Sequence, residues 1–188
     1  MCQLTKDELR EKYLTRRRET PAEHLALWSA RMERNALAFI EEKGYDTVML
    51  YAAFRGEPET VGLIRRLLHE GRRVALPKCY KGGRMEAFTI TDIEQLTPGA
   101  FGILEPPEEC LLPQKEQSLI LVPGCVFGKN GGRIGYGGGF YDRYLPGCEA
   151  AVRVGLCYSF ALLEMVPREA FDAKMDHVIT ENGVVNIL

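Results

Sequence analysis

The sequence lacks any apolar run long enough to cross a membrane. None of its runs approaches the roughly 20 residues that a membrane-spanning helix needs. Its first residues, MCQLTKDELREK, also lack the apolar core of a signal peptide. The formal net charge is only -2, so the chain has no basic field of the kind that attracts nucleic acid. We therefore expect a soluble cytoplasmic monomer with neither a membrane nor a nucleic-acid partner.

Several familiar catalytic and metal-binding patterns are missing as well. The six cysteines are irregularly spaced and contain no CxxC pair, which favours reduced structural thiols over a disulfide framework or a zinc site. The three histidines form no HxH or HxxxH pair. None of the three serines lies in a GxSxG motif, which argues against an α/β-hydrolase.

Length and composition suit one globular domain spanning residues 1–188, because 46% of the residues are apolar. Thr5-Lys6-Asp7-Glu8 is a capping box and predicts a helix over residues 6–18. Thr20-Pro21-Ala22-Glu23 predicts a second helix start, and that helix should run to Lys43, where Gly44 offers a cap. A third helix is expected from about Glu59 to Gly71.

Apolar runs at 47–54 and 118–124 predict buried strands. Further strands are expected at 72–77, which Pro77 should close, and at 84–90, 153–158 and the two C-terminal apolar segments. The Pro-rich residues 97–117 should be loop, and LLEM (162–165) suggests a helical turn. Continuous apolar strands that alternate with helices predict an α/β fold: a mostly parallel or mixed central sheet with helices on both faces, in a Rossmann-like three-layer arrangement.

The most unusual segment is GKNGGRIGYGGGFYDRYL at residues 128–145, in which seven of the first twelve residues are glycine. Each ordered glycine costs roughly 0.5–1 kcal/mol relative to alanine, so a functional reason is expected. The segment follows a predicted strand, at the edge where open α/β sheets bind ligands. Glycines let backbone N–H groups converge on a phosphate. Arg133 would add a charge-assisted contact, and Asp142 is a natural Mg²⁺ ligand beside a phosphate.

This Gly loop, defined here as residues 128–139, is not a generic nucleotide fingerprint. It lacks GxxxxGK[ST], and it fails GxGxxG because position 140 is Phe. A flexible loop or a cluster of tight turns is therefore an alternative interpretation. Lys6, Arg10 and Arg17 share one helical stripe, which would either reach an anionic ligand or form a solvated face. Glu57 is either a recognition group or a plain loop acid, and Asp176 is either a second metal ligand or a strand-start acid.

The motif GGRIGYGGGFYDRYL closely resembles that of the 5-formyltetrahydrofolate cyclo-ligase family. Further similarities are KDELR on the first helix, GEPET after the first strand, LTPGAFGILEP, LILVPGCVF and KMDHVIT, so the resemblance spans nearly the whole chain. It implies an ATP- and Mg²⁺-dependent ring closure of a small-molecule substrate. ATP phosphorylates the formyl oxygen of 5-formyltetrahydrofolate, N10 attacks the activated carbon, and phosphate leaves to give 5,10-methenyltetrahydrofolate and ADP.

The resemblance also implies roles for particular residues. Arg133 and Tyr136 would be catalytic, and Asp142 and Asp176 would hold Mg²⁺. Folate would contact Ala52, Glu57 and the segment Tyr136, Gly137, Gly138, Gly139 and Phe140. ATP would contact Lys6, Arg10, Arg133, Ile134, Gly135, Tyr136, Gly137, Gly138, Gly139, Phe140 and Tyr141.

Three positions depart from some family members. Phe140 stands where others have Tyr, so no hydroxyl at 140 orients the formyl oxygen, and Tyr136 and Gly138 stand where others have basic residues. Charge neutralisation must then rest more on Arg133, Lys6, Arg10 and Mg²⁺. Two alternatives remain at this point: a non-catalytic nucleotide- or folate-binding module, which would tolerate Asn at both metal positions, and a sugar-phosphate isomerase, for which no general base presents itself.

Overall fold

The computed structural model describes residues 4–99 and 102–187. In this part of the chain, no helix has the length and apolar character needed to cross a membrane. The helices are α1 (Lys6–Glu19), α2 (Ala22–Lys43), α3 (Val61–His69) and α4 (Phe140–Tyr144). The strands are β1 (Thr47–Met49), β2 (Arg73–Cys79), β3 (Met85–Ile90), β4 (Thr97–Pro98), β5 (Leu104–Glu105), β6 (Leu119–Val122), β7 (Val126–Gly128), β8 (Arg133–Ile134), β9 (Val152–Leu156), β10 (Leu162–Leu163), β11 (His177–Thr180) and β12 (Gly183–Asn186).

A seven-stranded sheet forms the centre of the molecule, in the order β12-β11-β9-β6-β1-β2-β3. Its five inner strands are parallel, and Val48 of β1 pairs with Val74 on one side and Leu119 on the other. The edge strands β3 and β12 run antiparallel to their neighbours. The predicted α/β class with a mixed, mostly parallel sheet is therefore confirmed.

Both faces of the sheet are covered. Val48 and Leu50 point into one core cluster, which they share with apolar residues of α2 and α3. Met49 between them points into the opposite cluster, which includes residues of α1, α4 and the small sheet β10-β7-β8. The alternation along β1 follows from the period of two in strand side chains. The expected three layers are present, with a small sheet added to the second face.

The strand order creates a crevice between β1 and β6. From β1 the chain runs outward through β2 to β3, and it then returns to β6 and runs the other way through β9 to β11. Such a reversal leaves a cleft at the carboxyl ends of the two central strands, where doubly wound sheets bind ligands. The segments that leave these strand ends carry Glu57 and the Gly loop. The fold thus brings two predicted site elements to one edge.

Five local predictions were wrong, one of them the loop expected at 97–117, which contains β4 and β5. Thr20 does not cap α2: its hydroxyl donates to Arg16 O at the end of α1, and Pro21 caps α2 without a side-chain bond. β1 stops at Met49, and residues 162–163 of LLEM pair with β7 instead of forming a helical turn. Pro77 lies inside β2, opposite Ala87, where pairing with β1 has already ended and no N–H is required.

Substituting Leu67 tests the core under α3. Leu67 is fully buried in the cluster between α3 and the sheet, so Leu67→Ala should lower the free energy of unfolding by about 2–5 kcal/mol. Leu27→Ala is the matched control, because Leu27 on α2 is 51% exposed, and its effect should stay within about 0.5 kcal/mol. Urea unfolding followed by circular dichroism measures both, and equal losses would contradict this assignment of the core.

Candidate functional site

The Gly loop begins at the last residue of β7, just beyond the carboxyl end of β6, and leads into α4. It forms the β7–β8 hairpin and then an exposed turn at residues 136–138. Gly137 and Gly139 have φ of 96° and 64°, a left-handed conformation that favours glycine. Within the described residues, the backbone N–H groups of 137–140 form no hydrogen bond with the protein. Four free donors on one exposed turn are suited to an anionic ligand.

Arg133 lies beneath this turn rather than on its surface. Its side chain is 5% exposed and its Nη2 donates to Asp142 Oδ1 at 2.9 Å. Its Nη1 donates to Pro123 O at 3.2 Å, and the guanidinium lies 5.6 Å from the ring centre of Tyr141. Arg133 Nε is buried without a hydrogen-bond partner among the described residues. These contacts give Arg133 one clear effect, which is to fix the carboxylate of Asp142.

Asp142 presents one carboxylate oxygen that the protein leaves unused. Oδ1 accepts from Arg133 and, at 3.4 Å, from Ala173 N, whereas no described residue donates to Oδ2. A quarter of the side chain is exposed. Mg²⁺ commonly takes one or two carboxylates together with phosphate oxygens. An oriented, accessible carboxylate oxygen beside free N–H groups fits such an ion.

The basic stripe of α1 faces the Gly loop, the turn after β6 and an acidic segment near the C-terminus. Arg10 Nε donates to Gly135 O at 2.8 Å. Arg17 donates to Tyr136 and to Gly124. Lys6 instead forms ion pairs with Asp172 at 2.6 Å and Glu169 at 3.2 Å. The stripe therefore contacts the protein's own Gly loop and carboxylates, and its contact with an anionic ligand stays a prediction. Lys6 must change partners before it can contact another anion.

Glu57 is held by a tight turn just beyond β1. Its N–H donates to Phe54 O, and its Oε2 accepts from Phe54 N at 3.0 Å. The two central residues of the turn, Arg55 and Gly56, have φ of 49° and 75°. A non-glycine residue in this region costs about 1 kcal/mol, and such strain concentrates at functional sites. The turn buries the carboxylate, and this burial raises the pKa of Glu57.

The Tyr136 hydroxyl connects the Gly loop to Glu57. It accepts a hydrogen bond from Arg17 Nη1 at 2.7 Å, and it lies near enough to the Glu57 carboxylate to lower the pKa of that acid. Although 48% of the residue is exposed, its hydroxyl end points inward, and desolvation there raises the pKa of the phenol well above its usual value. The phenol is therefore neutral at physiological pH and keeps a proton that it can donate to Glu57.

The other residues of the predicted site are either buried in the core or lie at the start of α4. Ile134 and Ala52 are buried in the two core clusters, so Ile134 offers a ligand its backbone alone. Tyr141 has a buried hydroxyl without a partner among the described residues, and burial raises its pKa well above the usual range. Phe140 packs against the core cluster that includes α1, with the Arg143 guanidinium 5.8 Å from its ring centre.

Asp176 lies at the start of β11. Its Oδ2 accepts from Arg153 N at 2.8 Å, at the amino end of the neighbouring strand β9. No hydrogen bond or ion pair recorded in the described residues joins it to the Gly loop or to Asp142. The strand-start contact is thus observed, and the metal-binding role of Asp176 stays a prediction.

Two arginines were not singled out as site residues by the sequence. Arg17 was visible only as part of the basic stripe. Arg143, within the FYDR motif, donates to Gly138 O at 2.5 Å and to Gly83 O at 3.0 Å, and so ties the β2–β3 turn to the Gly loop. Gly139, four positions earlier, is a signal that would have pointed to Arg143, because residues at this spacing face each other at a helix start.

Comparison with known proteins supports the resemblance found in the motifs. The sequence model of the 5-formyltetrahydrofolate cyclo-ligase family matches residues 3–181. The 5-formyltetrahydrofolate cyclo-ligase of Mycolicibacterium smegmatis is 32% identical, with 98% of each chain covered. The enzyme of Haemophilus influenzae is 30% identical over 78% of this chain and 81% of its own. The NMR structure of Aquifex aeolicus 5,10-methenyltetrahydrofolate synthetase has a TM-score of 0.87 at 33% identity, covering 98% of this chain and 93% of that one.

Proposed function

This chain belongs to the 5-formyltetrahydrofolate cyclo-ligase family, and we propose that the Gly loop and the β1–β6 crevice carry the family reaction. That reaction is the ATP-dependent conversion of 5-formyltetrahydrofolate to 5,10-methenyltetrahydrofolate. The single observation that supports this placement is the inward-pointing Tyr136 hydroxyl, which brings the Gly loop beside the buried carboxylate of Glu57. A phosphate on the loop and a folate on Glu57 would therefore meet at one place.

On the nucleotide side, the free N–H groups of residues 137–140 bind the phosphates of ATP. Arg10 steadies the loop through Gly135, and Lys6 joins the phosphates after leaving Asp172 and Glu169. Asp142 would hold Mg²⁺ through the oxygen that the protein leaves unused, while Arg133 fixes the other oxygen, and the ion would supply positive charge that offsets the phosphates. Asp176 is retained as the second proposed ligand, on the ground of the family resemblance alone.

On the folate side, Glu57 accepts hydrogen bonds from the donors along the pterin edge. Ala52, which follows β1 and is buried in the core, is retained as a folate contact on the ground of the family resemblance alone. A formamide oxygen is a poor leaving group, so the γ-phosphoryl group is transferred to it and ADP departs. The N10 lone pair then attacks the formyl carbon, N10 loses its proton, and the C–O bond breaks to release phosphate. The protein contributes mainly position and charge.

The cellular compartment and the oligomeric state are also part of the proposal. The described cysteines are all free thiols, as is usual in a reducing cytoplasm. The residues of the proposed site come from one chain, which is consistent with a monomer that acts on small molecules. Size-exclusion chromatography with light scattering tests the oligomeric state.

Absorbance tests the proposed function directly. Purified protein is mixed with 5-formyltetrahydrofolate, ATP and Mg²⁺, and the near-ultraviolet band of the methenyl product is followed. We expect a band whose growth requires both ATP and Mg²⁺. Omitting each in turn is the control. ATP binding without any band would instead support a nucleotide-binding module, and growth of the band in the presence of a chelator would contradict the proposed role of Mg²⁺.

A further inference from the structure

Arg17 is a buried cation at the centre of the crevice. The residue is 3% exposed, although it lies on α1 between two exposed arginines. Its Nη2 donates to Gly124 O at 2.9 Å and its Nη1 to the Tyr136 hydroxyl at 2.7 Å. The stem of the side chain packs against Gly56, where an added Cβ would stand 3.6 Å from its Cδ. Arg17 therefore contacts all three segments that border the crevice.

A buried guanidinium needs a compensating anion. Within the described residues, Arg17 forms no direct ion pair, and its Nε has no hydrogen-bond partner. The buried carboxylate nearest in this network is that of Glu57, which Arg17 reaches through the Tyr136 hydroxyl. The guanidinium donates to the phenol, and the phenol lies beside the carboxylate, within reach of a hydrogen bond to it.

We propose that Arg17 is a positioning residue for the folate, which keeps the Glu57 carboxylate charged and oriented through the Tyr136 hydroxyl. This inference rests on the proposed function, because it assumes that Glu57 binds the pterin. It assigns the arginine no contact with ATP. It also gives the neutral Tyr136 a purpose: a phenol can accept from a guanidinium and donate to a carboxylate at the same time, which a basic side chain cannot.

The groups around Glu57 act on its pKa in opposite directions. Burial raises its pKa, whereas the Tyr136 hydrogen bond, the Phe54 N–H and the charge of Arg17 lower it. The titratable and charged groups that face it are Arg17 from α1, Tyr51 from the end of β1, Glu59 from the following loop, Cys125 from the β6–β7 turn, and Tyr136 and Tyr141 from the Gly loop and α4. Of these, Arg17 is the one cation, so its removal should make Glu57 harder to ionise.

Arg17→Met tests the inference, because methionine fills part of the same volume without charge. Binding of 5-formyltetrahydrofolate and of ATP is titrated separately by calorimetry between about pH 5 and about pH 8. We expect folate affinity to fall about tenfold at neutral pH. The acid limb, which is the part of the pH profile where folate affinity declines at low pH, should move upward by about one pH unit. ATP affinity should not change. Arg18→Met is the matched control, since Arg18 is exposed and bonds to Thr15 alone.

Two further variants keep the test decisive if Arg17→Met folds poorly. Arg17→Lys retains the charge, so the acid limb should stay near that of the natural protein. Tyr136→Phe retains Arg17 but removes the hydroxyl, so the limb should move as in Arg17→Met. Equal losses of folate and ATP affinity with no movement of the limb would make Arg17 merely structural. Failure of the unaltered protein to bind folate would overturn the proposed function as well, and the two failures are therefore distinguishable.

Discussion

Asp142→Asn should reduce kcat by about 1,000-fold at saturating substrates and Mg²⁺. The substitution keeps a carbonyl oxygen that can accept from Arg133 Nη2 and Ala173 N, as Oδ1 does now. It removes the negative charge of the free oxygen, which is the proposed ligand of Mg²⁺. A bound metal contributes several kcal/mol of transition-state stabilisation, and about 4 kcal/mol corresponds to about 1,000-fold in rate. Steady-state growth of the methenyl band, measured over a range of Mg²⁺ concentrations, checks this.

The charge loss itself needs a control, because Asp142 also balances the buried Arg133. Asp46→Asn removes one carboxylate far along the chain, at an exposed ion pair with Arg72, and it should leave kcat unchanged. Urea unfolding of Asp142→Asn separates a folding defect from a catalytic one. Unchanged turnover in folded Asp142→Asn would remove this residue from the metal site. A parallel Asp176→Asn variant distinguishes the metal role of Asp176 from its contact with Arg153.

The parts of the fold that the sequence predicted well are those decided by local contacts. The capping box at the start of α1 is present, with Glu8 N donating to Thr5 Oγ1 at 3.2 Å and Thr5 N donating back to the Glu8 carboxylate at 2.8 Å. Gly44 ends α2 in the left-handed conformation that a C-terminal cap requires. The apolar LILV run forms a fully buried parallel strand. In each case the residues that interact lie within a few positions of one another or bury a continuous run.

The errors have two physical origins, one distant and one local. Residues 162–163 become a strand because Phe127 and Gly128 offer them a pairing edge, and nothing in LLEM indicates that edge. The Thr20 hydroxyl instead binds Arg16 O, four positions earlier, and so serves the end of α1 rather than the start of α2. A local pattern offers two or more structures of similar free energy, and the tertiary contact chooses among them.

The candidate site divides in the same way. The Gly loop, Arg133 and Asp142 lie within one short segment, so their proximity followed from the motif. The bond between Arg17 and Tyr136 joins residues 119 positions apart. Helical spacing placed Arg17 on a basic stripe, but no pattern in the sequence paired that stripe with a buried acid beyond β1. Arg17 contacts position 136 and Arg143 contacts position 138, the two positions of the Gly loop at which the sequence departs from the pattern that the resemblance implies.

Glu57→Gln should weaken binding of 5-formyltetrahydrofolate by about 100-fold and leave ATP binding nearly intact. A hydrogen bond to a charged partner contributes about 1.5–3 kcal/mol, and about 2.7 kcal/mol corresponds to about 100-fold in affinity. Glutamine retains one acceptor oxygen, but its amide group would face donors from the Tyr136 hydroxyl and the pterin. Separate calorimetric titrations with folate and with ATP measure the two affinities. Glu59→Gln, which alters an exposed acid two positions away, is the control and should bind both normally.

The pH dependence makes this substitution the sharpest test of where the folate binds. Burial raises the pKa of Glu57, and hydrogen bonds from the pterin require the ionised form. Folate affinity of the natural protein should therefore be full above that pKa and decline as the pH falls through it. Glutamine cannot ionise, so the acid limb should disappear in Glu57→Gln even though affinity is lower throughout. Persistence of the limb would assign it to another group, and a selective loss of ATP affinity would place Glu57 on the nucleotide side of the crevice.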